Sequence, residues 1–453
     1  MVENVLQVFQ NKVTLQETKR FVSDKEINIL AERYGTPLYL VDEKTLHNKL
    51  LELHNAYKGF EGDVKIAYSI KANFNPSILK TFMNDGITFD LTSLGELYFI
   101  KQLKGNPENI IYTSVTEELD EYIEVLKNGI RRIVVSSYYG FINLSKAARI
   151  INIRPKIMVR INPEVGVKAE VRASYKNGKF GVPLNGGKID SAYFIIKSIY
   201  NNSLLDFEGF HFHLGSQITN FACYVNALER LNSLINKLKK EINDFSITTL
   251  DIGGGTPVFY NVPVPTPSEM ASIYIEKLNN LASIHGNFTL MIESGRFLVA
   301  ESSIMISKIV NTKEYNDDHK IVILDTGYHL LLDAALLKQE YPQEVILCQN
   351  GIYEMNVNDI RNHPTVKNIH LVGRLCDTLD IFPISKVSEL SDTNIGNYIL
   401  FYNIGAYSLV FNMPFHCQTK PPVLMKTIDD DFKLIRKGTT YEELFIEEGG
   451  LLS

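Results

Sequence analysis

The sequence predicts an α/β fold, a (β/α)8 barrel joined to a second domain made of β-strands, and two patterns support this prediction. Eight short runs rich in β-branched and aromatic residues alternate with helix-like segments between Val64 and Arg296. After Arg296, strand-like runs follow one another with few helical segments between them. The first pattern is typical of a parallel barrel, and the second is typical of a separate sheet domain.

The predicted barrel strands are near-continuous apolar runs, as expected for strands that are buried on both faces. Their centres, in chain order, are Ile66, Thr88, Ile110, Val134, Val159, Phe210, Leu250 and Leu290. The segments between them, such as 76–84, 93–103, 116–127 and 221–241, are apolar at mixed three- and four-residue spacing. We therefore assign residues 38–300 to the barrel.

The predicted second domain combines residues 301–453 with residues 1–37. Its strand-like runs lie at 304–310, 321–324, 369–372, 398–402 and 423–434, and a short strand is expected at 12–15. The segment 338–367 is the least regular part of the chain. We interpret that segment as a mobile or substrate-capping loop.

Composition and charge favour a small-molecule ligand. The 46 Lys and Arg residues are interleaved with 52 Asp and Glu residues, so no basic stripe for nucleic acid is visible. The cysteines, Cys223, Cys348, Cys376 and Cys417, show neither close pairing nor metal-ligand spacing. No signal peptide and no apolar run of roughly 18 residues is visible. We expect a cytoplasmic protein that does not bind membranes.

A lysine follows the first barrel strand. Lys71 comes after the apolar run 64–70 and precedes Ala72 and Asn73, which are not part of a charged surface stretch. Catalytic groups of barrels lie at the carboxyl ends of the strands. Lys71 is therefore a candidate catalytic amine, the alternative being an ordinary surface lysine.

Glycines and an arginine follow the last two barrel strands. The triplet Gly253–Gly255 ends the seventh run, and Gly295 with Arg296 ends the eighth. Barrels commonly hold a phosphate in these two loops, where glycine lets backbone N–H groups approach the oxygens. The triplet alone is also compatible with a sharp turn, but the neighbouring arginine favours a phosphate site.

A histidine and a glutamate complete the strand ends. His213 ends the sixth run and is followed by Ser216, and Glu293 belongs to the eighth run. One interpretation is a structural histidine and a glutamate that caps a helix or forms a salt bridge. The other is an imidazole that stacks on a planar cofactor, with a hydroxyl for its phosphate and a carboxylate for a ring nitrogen.

Together these groups match what pyridoxal 5′-phosphate (PLP) requires, namely a lysine, a partner for the pyridine nitrogen and a phosphate site. Cys376 and Asp377 lie in the later motif Gly-Arg-Leu-Cys-Asp. A cysteine is by default a small buried apolar residue. Here it is also a candidate proton donor beside a carboxylate that recognises an amine.

The ordered motifs resemble those of the fold-type III PLP-dependent decarboxylases, the group of diaminopimelate and ornithine decarboxylases with relatives in siderophore pathways. The resemblance runs from about Thr36 to Leu444. It rests on the motifs that contain Lys71, His213, Gly253–Gly255, Glu293, Cys376 and Tyr407. It implies a PLP-binding barrel, a β-sandwich domain, and a homodimer whose active sites lie between the subunits.

The resemblance also implies roles for individual residues. Lys71 would be the Schiff-base lysine, His213 would stack on the PLP ring and Glu293 would pair with its nitrogen. The polar neighbours of Lys71 would be Asp90, Glu96 and Arg160, and the phosphate would be held by Ser216, Gly253, Gly254, Gly255, Gly295, Arg296 and Tyr407. Cys376 and Asp377 would reach the cofactor of the partner chain, with Cys376 donating a proton to the α-carbon.

The implied reaction is the α-decarboxylation of a diamino acid, but the chain departs from diaminopimelate decarboxylases on the substrate side. Those enzymes carry an arginine and a tyrosine after the aspartate-x-glycine element, whereas residues 329–337 here offer Asp333 and Leu337 near those places. Asp377 replaces their glutamate after the cysteine. We therefore expect the substrate to carry an ω-amine, such as that of ornithine or lysine, which would be bound by Asp377, Asp325 and Asp333.

Three alternatives compete with this prediction, and the first two remain open from the sequence. A citrate-conjugated diamino acid such as N-citrylornithine would present anions, and Lys338, Arg374 or the loop 338–367 would then contact them. A catalytically inactive regulatory homologue would usually have lost the lysine or the phosphate ligands, both of which are present here. An unrelated barrel hydrolase would need a metal or paired carboxylates, and no such arrangement is visible, so we predict no metal.

Overall fold

The computed structural model describes residues 20–186, 188–316, 319–348, 368–386, 388 and 390–450. Within these residues the chain divides into two compact units. The first comprises residues 47–258 and 264–298, and the second comprises residues up to 46, residues 259–263 and residues from 299 onward. The strand predicted at 12–15 and most of the predicted loop 338–367 lie outside the described residues.

The first unit contains the predicted barrel of eight parallel strands. In chain order the strands are Val64–Ser69, Thr88–Leu91, Ile110–Thr113, Arg132–Val135, Lys156–Asn162, Asp206–His211, Thr249–Asp251 and Thr289–Ser294. Each strand pairs with the next, and the eighth pairs with the first, which closes the barrel. The predicted fold class is confirmed.

Helices connect the barrel strands. They are Pro76–Asn84, Leu94–Gln102, Leu119–Lys127, Tyr138–Ile151, Ala192–Tyr200, Ala222–Glu241 and Pro267–His285, and Glu43–Ala56 leads into the first strand. Ser93, Ser137 and Ser191 each accept a backbone N–H of the first turn that follows. Because these hydroxyls satisfy N–H groups that lack helical partners, they fix where the helices begin.

The barrel interior has an apolar layer beneath a polar one. The apolar layer consists of Ala67, Ile111, Val134, Met158 and Met291, all of them buried. Two residues further along their strands lie Arg160 and Glu293, on the same inward side. His211 is in register with Arg160 and with Asp251. Four polar side chains therefore share the layer nearest the carboxyl ends of the strands.

The second unit is built on a mixed sheet. Its strands are Leu38–Asp42, Ser303–Asn316, His319–Leu324, Gln343–Ile346, Asn368–Val372, Ile381–Phe382, Tyr398–Phe401, Val423–Lys426 and Phe432–Arg436. Its helices are Asp24–Tyr34, Leu332–Leu336 and Tyr441–Glu447. Apolar residues of the first helix, including Ile27 and Leu30, pack with strand residues such as Ile304 and Leu424 in one core.

Two features of this sheet differ from the sequence prediction. Leu38–Asp42, which we had assigned to the barrel, pairs here with Ser303–Asn316 and Val423–Lys426. The run predicted at 423–434 is a hairpin of two strands, because the chain turns at Asp430, whose φ is 66°.

Among the helices that the structure describes, none is both long and apolar enough to span a membrane.

Candidate active site

Lys71 and Asp90 form an ion pair at the carboxyl ends of the first two barrel strands. Lys71 lies in the single helical turn Ile70–Ala72, and its Nζ is 3.1 Å from Oδ2 of Asp90. The Lys71 side chain is 44% exposed, whereas that of Asp90 is 1% exposed. The amine is therefore held at the mouth of the barrel by a carboxylate that lies inside it.

Glu96 has a structural role near this pair. Its carboxylate accepts the backbone N–H and the hydroxyl of Thr92, just before the helix Leu94–Gln102. Burial raises the pKa of Glu96, and the nearby charge of Asp90 acts in the same direction. Glu96 thus anchors the loop after the second strand.

The glycine triplet after the seventh strand has no room for side chains. A Cβ on Gly253 would lie 2.4 Å from the carbonyl oxygen of Phe212, and one on Gly254 would lie 2.8 Å from that of Glu293. A Cβ on Gly255 would lie 2.8 Å from the Tyr224 hydroxyl. The sequence therefore needs glycine at all three positions.

The backbone N–H groups of the triplet are not equivalent. The N–H of Gly253 donates to Oδ1 of Asp251 at 2.8 Å, and that of Gly254 donates to Nδ1 of His213 at 3.0 Å. Within the described part of the chain, the N–H of Gly255 makes no hydrogen bond. Of the three, only this group remains to donate to a ligand.

His213 is partly buried and neutral. Burial lowers the pKa of His213 to about 3, although the charge of Glu293 acts in the opposite direction. Since Nδ1 accepts the Gly254 N–H, the ring proton lies on Nε2. The result is an uncharged, fixed aromatic ring at the end of the sixth strand.

Glu293 is a buried anion, and one of its two carboxylate oxygens already has a hydrogen-bond partner. Its Oε1 lies 3.0 Å from Nε2 of His211. Burial acts to raise the pKa of Glu293, but the charge and hydrogen bond of His211, and the charge of Lys71, outweigh burial and hold it below its usual range. Within the described residues Oε2 makes no hydrogen bond.

Arginines at two strand ends add positive charge. Arg296 begins the short helix after the eighth strand, and its Nε donates to the Ser216 hydroxyl at 3.4 Å. Gly295 before it is closely packed, since a Cβ there would lie 3.0 Å from that of Ala72. Arg160 is buried and its guanidinium lies 4.8 Å from the Phe180 ring centre.

The remaining predicted site residues belong to the second unit. Cys376 is exposed, and its backbone N–H lies 3.4 Å from Nδ1 of His416. Oδ2 of Asp377 accepts the Tyr328 hydroxyl at 3.1 Å. Tyr407 has a φ of 59°, and its ring stacks on that of Phe411.

Asp325 and Asp333 are more enclosed than Asp377. The carboxylate of Asp325 accepts the Ser307 hydroxyl, the Lys308 backbone N–H and the Thr36 hydroxyl. Burial raises the pKa of Asp325. Asp333 is buried at the start of a short helix. Their roles in substrate binding stay predictions, and the bonds of Asp325 have a structural function within the second unit.

Sequence reasoning overlooked two buried residues of the barrel, His211 and Asp251. His211 ends the sixth strand two residues before His213, and Asp251 ends the seventh strand two residues before Gly253. Because side chains alternate along a strand, residues two apart face the same side. That spacing was the signal available in the sequence.

The barrel residues fit PLP. The Lys71 amine is at the mouth, and Oε2 of Glu293 and the Gly255 N–H lack hydrogen bonds among the described residues. A basic group, Arg296, lies beside Ser216 in the region where barrels bind phosphate. An amine, a carboxylate and a phosphate site are the protein groups that this cofactor uses.

Comparison with known proteins agrees with this arrangement. A family model described as "Pyridoxal-dependent decarboxylase, pyridoxal binding domain" matches residues 44–300. The chain is 30% identical over 407 residues to diaminopimelate decarboxylase of Vibrio cholerae, covering 88% of this chain and 89% of the relative. It is 27% identical over 443 residues to diaminopimelate decarboxylase of Aquifex aeolicus, covering 97% of each.

A solved structure has the same fold. It is the crystal structure of diaminopimelate decarboxylase from Helicobacter pylori complexed with L-lysine, with a TM-score of 0.80 and 24% sequence identity. The alignment covers 93% of this chain and 99% of that one.

Proposed function

Because the chain belongs to the pyridoxal-dependent decarboxylase family, the fold-type III group, it is a PLP-dependent amino-acid decarboxylase, and we propose that its substrate is a diamino acid. The observation that carries the cofactor chemistry is the Lys71 amine held by buried Asp90 at the mouth of the barrel. The full-length likeness to diaminopimelate decarboxylases supports a substrate with two amino groups.

The chain's own residues would hold the cofactor as follows. Lys71 would bind it through Nζ, and Glu293 would keep a proton on the ring nitrogen through Oε2. The Gly255 N–H, the Ser216 hydroxyl and the Arg296 guanidinium would hold the phosphate, and the neutral ring of His213 would support its flat face. When bound, PLP takes up the electron pair that remains when the α-carboxylate leaves as CO2.

Cys376 would then donate a proton to the α-carbon from which CO2 has left, which balances the reaction. This role requires a thiol that solvent and substrate can reach, and Cys376 is exposed. Tyr407 would add a further contact to the phosphate.

The substrate side chain would be recognised through Asp377. Its Oδ2 accepts the Tyr328 hydroxyl and its Oδ1 accepts the Leu379 backbone N–H, so the carboxylate is fixed in place. A fixed carboxylate suits an ammonium group. This supports a free diamino acid of the ornithine or lysine type more than an anionic citrate conjugate or diaminopimelate.

We also propose a homodimer with shared active sites, in which Cys376 and Asp377 of the partner subunit complete each barrel. The family resemblance supports this assembly. The described cysteines are all free thiols, which supports a reducing, cytoplasmic location.

The test is CO2 release by the PLP-loaded protein on a panel of substrates: L- and D-ornithine, lysine, meso-diaminopimelate, two shorter diamino acids and N-citryl conjugates. Turnover of a free diamino acid is expected. Turnover of a conjugate alone would replace the proposed substrate, and no release with PLP bound would favour the regulatory alternative.

Lys71→Ala is expected to abolish both the visible absorbance of bound PLP and CO2 release, because the amine that binds the cofactor is removed. Lys156→Ala, an exposed lysine at the start of the fifth strand, is the matched control and should behave as wild type. Cofactor that still becomes covalently attached to Lys71→Ala on borohydride reduction would contradict the assignment of Lys71.

A further inference from the structure

Three buried side chains lie together below the mouth of the barrel. They are His211 on the sixth strand, Asp251 on the seventh and Glu293 on the eighth, and one ligand atom from each lies within 4.8 Å of the others. All three are at most 4% exposed. The cluster adjoins the cofactor residues but contains two groups that the proposed reaction does not use.

Two hydrogen bonds hold the side chains of this cluster in place. Nε2 of His211 lies 3.0 Å from Oε1 of Glu293, and Oδ1 of Asp251 accepts the Gly253 N–H at 2.8 Å. Nδ1 of His211 and Oδ2 of Asp251 are buried without a hydrogen-bond partner among the described residues. The first bond therefore fixes one oxygen of Glu293, and the second ties Asp251 to the glycine triplet.

The negative charge of the cluster resides on one carboxyl group. Two carboxylates this close in a buried site do not both ionise readily. Burial, and then the charge of Glu293, raises the pKa of Asp251 well above its usual range, whereas His211 stabilises the anion of Glu293. Asp251 is therefore a neutral acid, and Glu293 carries the charge.

We propose that His211 is a positioning residue that fixes the Glu293 carboxylate, so that Oε2 remains available for the ring nitrogen of PLP. Asp251, beside them in the cluster, is a neutral group that accepts the Gly253 N–H of the glycine triplet. The inference rests on the assignment of Glu293 to the ring nitrogen in the proposed function.

Substitutions at His211 separate the effect of its hydrogen bond on PLP binding from the effect of its packing. His211→Gln keeps a donor near the position of Nε2, His211→Asn keeps one only near Nδ1, and His211→Leu keeps none. We expect His211→Leu and His211→Asn to weaken PLP binding about ten- to a hundredfold, as for the loss of a charge-assisted bond. His211→Gln should stay within about threefold of wild type.

A spectroscopic readout distinguishes positioning from a general structural effect. With PLP labelled with ¹⁵N in the ring, the nitrogen chemical shift reports whether the ring nitrogen is protonated. Wild type and His211→Gln should give the protonated signal, and His211→Asn and His211→Leu should shift toward the unprotonated one. The matched control is His285→Leu, a buried histidine bonded to Asn232, which should leave both readouts unchanged.

Asp251→Asn tests the role of Asp251 separately, and His211→Asn takes the place of His211→Leu if the leucine variant folds poorly. Asparagine is neutral and its carbonyl can still accept the Gly253 N–H, so PLP affinity and the nitrogen signal should stay close to wild type. A large change in Asp251→Asn would overturn the neutral role of Asp251. Wild-type signals in folded His211→Leu would overturn the positioning role of His211.

A competing interpretation is that the three side chains bind a divalent cation. Stoichiometric binding of Zn²⁺ by the PLP-free wild type, lost in His211→Leu, would overturn the proposal in favour of a metal site. Absence of such binding would support it. These measurements need no amino-acid substrate, so they are independent of the outcome of the CO2 panel.

Discussion

At the scale of single residues, His213 makes folding depend on pH. Its pKa is lowered by burial from the ordinary 6.5 to about 3. Between these values the unfolded chain binds the proton and the folded chain does not, so stability falls as the pH falls from 6.5. The contribution approaches about 1.4 kcal/mol per pH unit while the unfolded chain is protonated and the folded chain is not.

We expect His213→Gln to reduce this slope. The measurement is the free energy of urea unfolding of the PLP-free protein between about pH 7 and pH 5. His319→Gln, at an exposed histidine of the second unit, is the control and should keep the wild-type slope. An equal slope in wild type and His213→Gln would mean that the fold does not keep His213 in its neutral form.

At the scale of structural elements, the loop after the seventh strand is limited by space. A Cβ at Gly254 would lie 2.8 Å from the carbonyl oxygen of Glu293 and 3.6 Å from Cε1 of His213. Gly254→Ala should therefore push the loop away from the eighth strand. We expect a loss of about 1–3 kcal/mol in stability, as for overpacked cores, together with weaker PLP binding.

Thermal unfolding and PLP titration of Gly254→Ala test this expectation. Gly166→Ala is the matched control because nothing lies within 4 Å of a Cβ there, and it should leave both properties unchanged. Equal PLP affinity in wild type and Gly254→Ala would show that the loop can shift without disturbing the site.

The elements that the sequence predicted best are those with a simple physical signature. Barrel strands are apolar on both faces, and glycines mark the loop where backbone must come close, so the barrel and the triplet Gly253–Gly255 were both predicted. The same signature placed Leu38–Asp42 in the barrel by mistake, because a fully buried strand of the second sheet is equally apolar. Only the pairing partners distinguish the two sheets, and these are distant in sequence.

Within the site, the sequence predicted the functional residues better than the hydrogen bonds between them. Lys71 and Glu293 stood out because a motif surrounds each of them. The sequence could not reveal that His213 and Asp251 already accept two of the three glycine N–H groups, since this depends on distances between strands. Alternation along the sixth strand could have pointed to His211, but not to its bond with Glu293.

At the scale of the whole molecule, the proposed dimer makes each active site a composite of two chains. Lys71 would come from one subunit, and Cys376 of the partner subunit would complete the site. A dimer of Lys71→Ala with Cys376→Ala then has one doubly defective site and one intact site. Random pairing of equal amounts should therefore restore about a quarter of wild-type activity, although each variant alone is nearly inactive.

The matched control pairs two substitutions on the same barrel. Lys71→Ala mixed with Glu293→Ala leaves one defect in every site of the mixed dimer, so activity should not return. CO2 release by the two co-expressed mixtures is the measurement, and mixed dimers of Lys71→Ala with Cys376→Ala isolated through two different tags should show about half of wild-type activity. Equal inactivity of both mixtures would mean that each chain builds its own site. Full activity of Cys376→Ala alone would instead remove Cys376 as the proton donor, because an essential donor cannot be dispensed with.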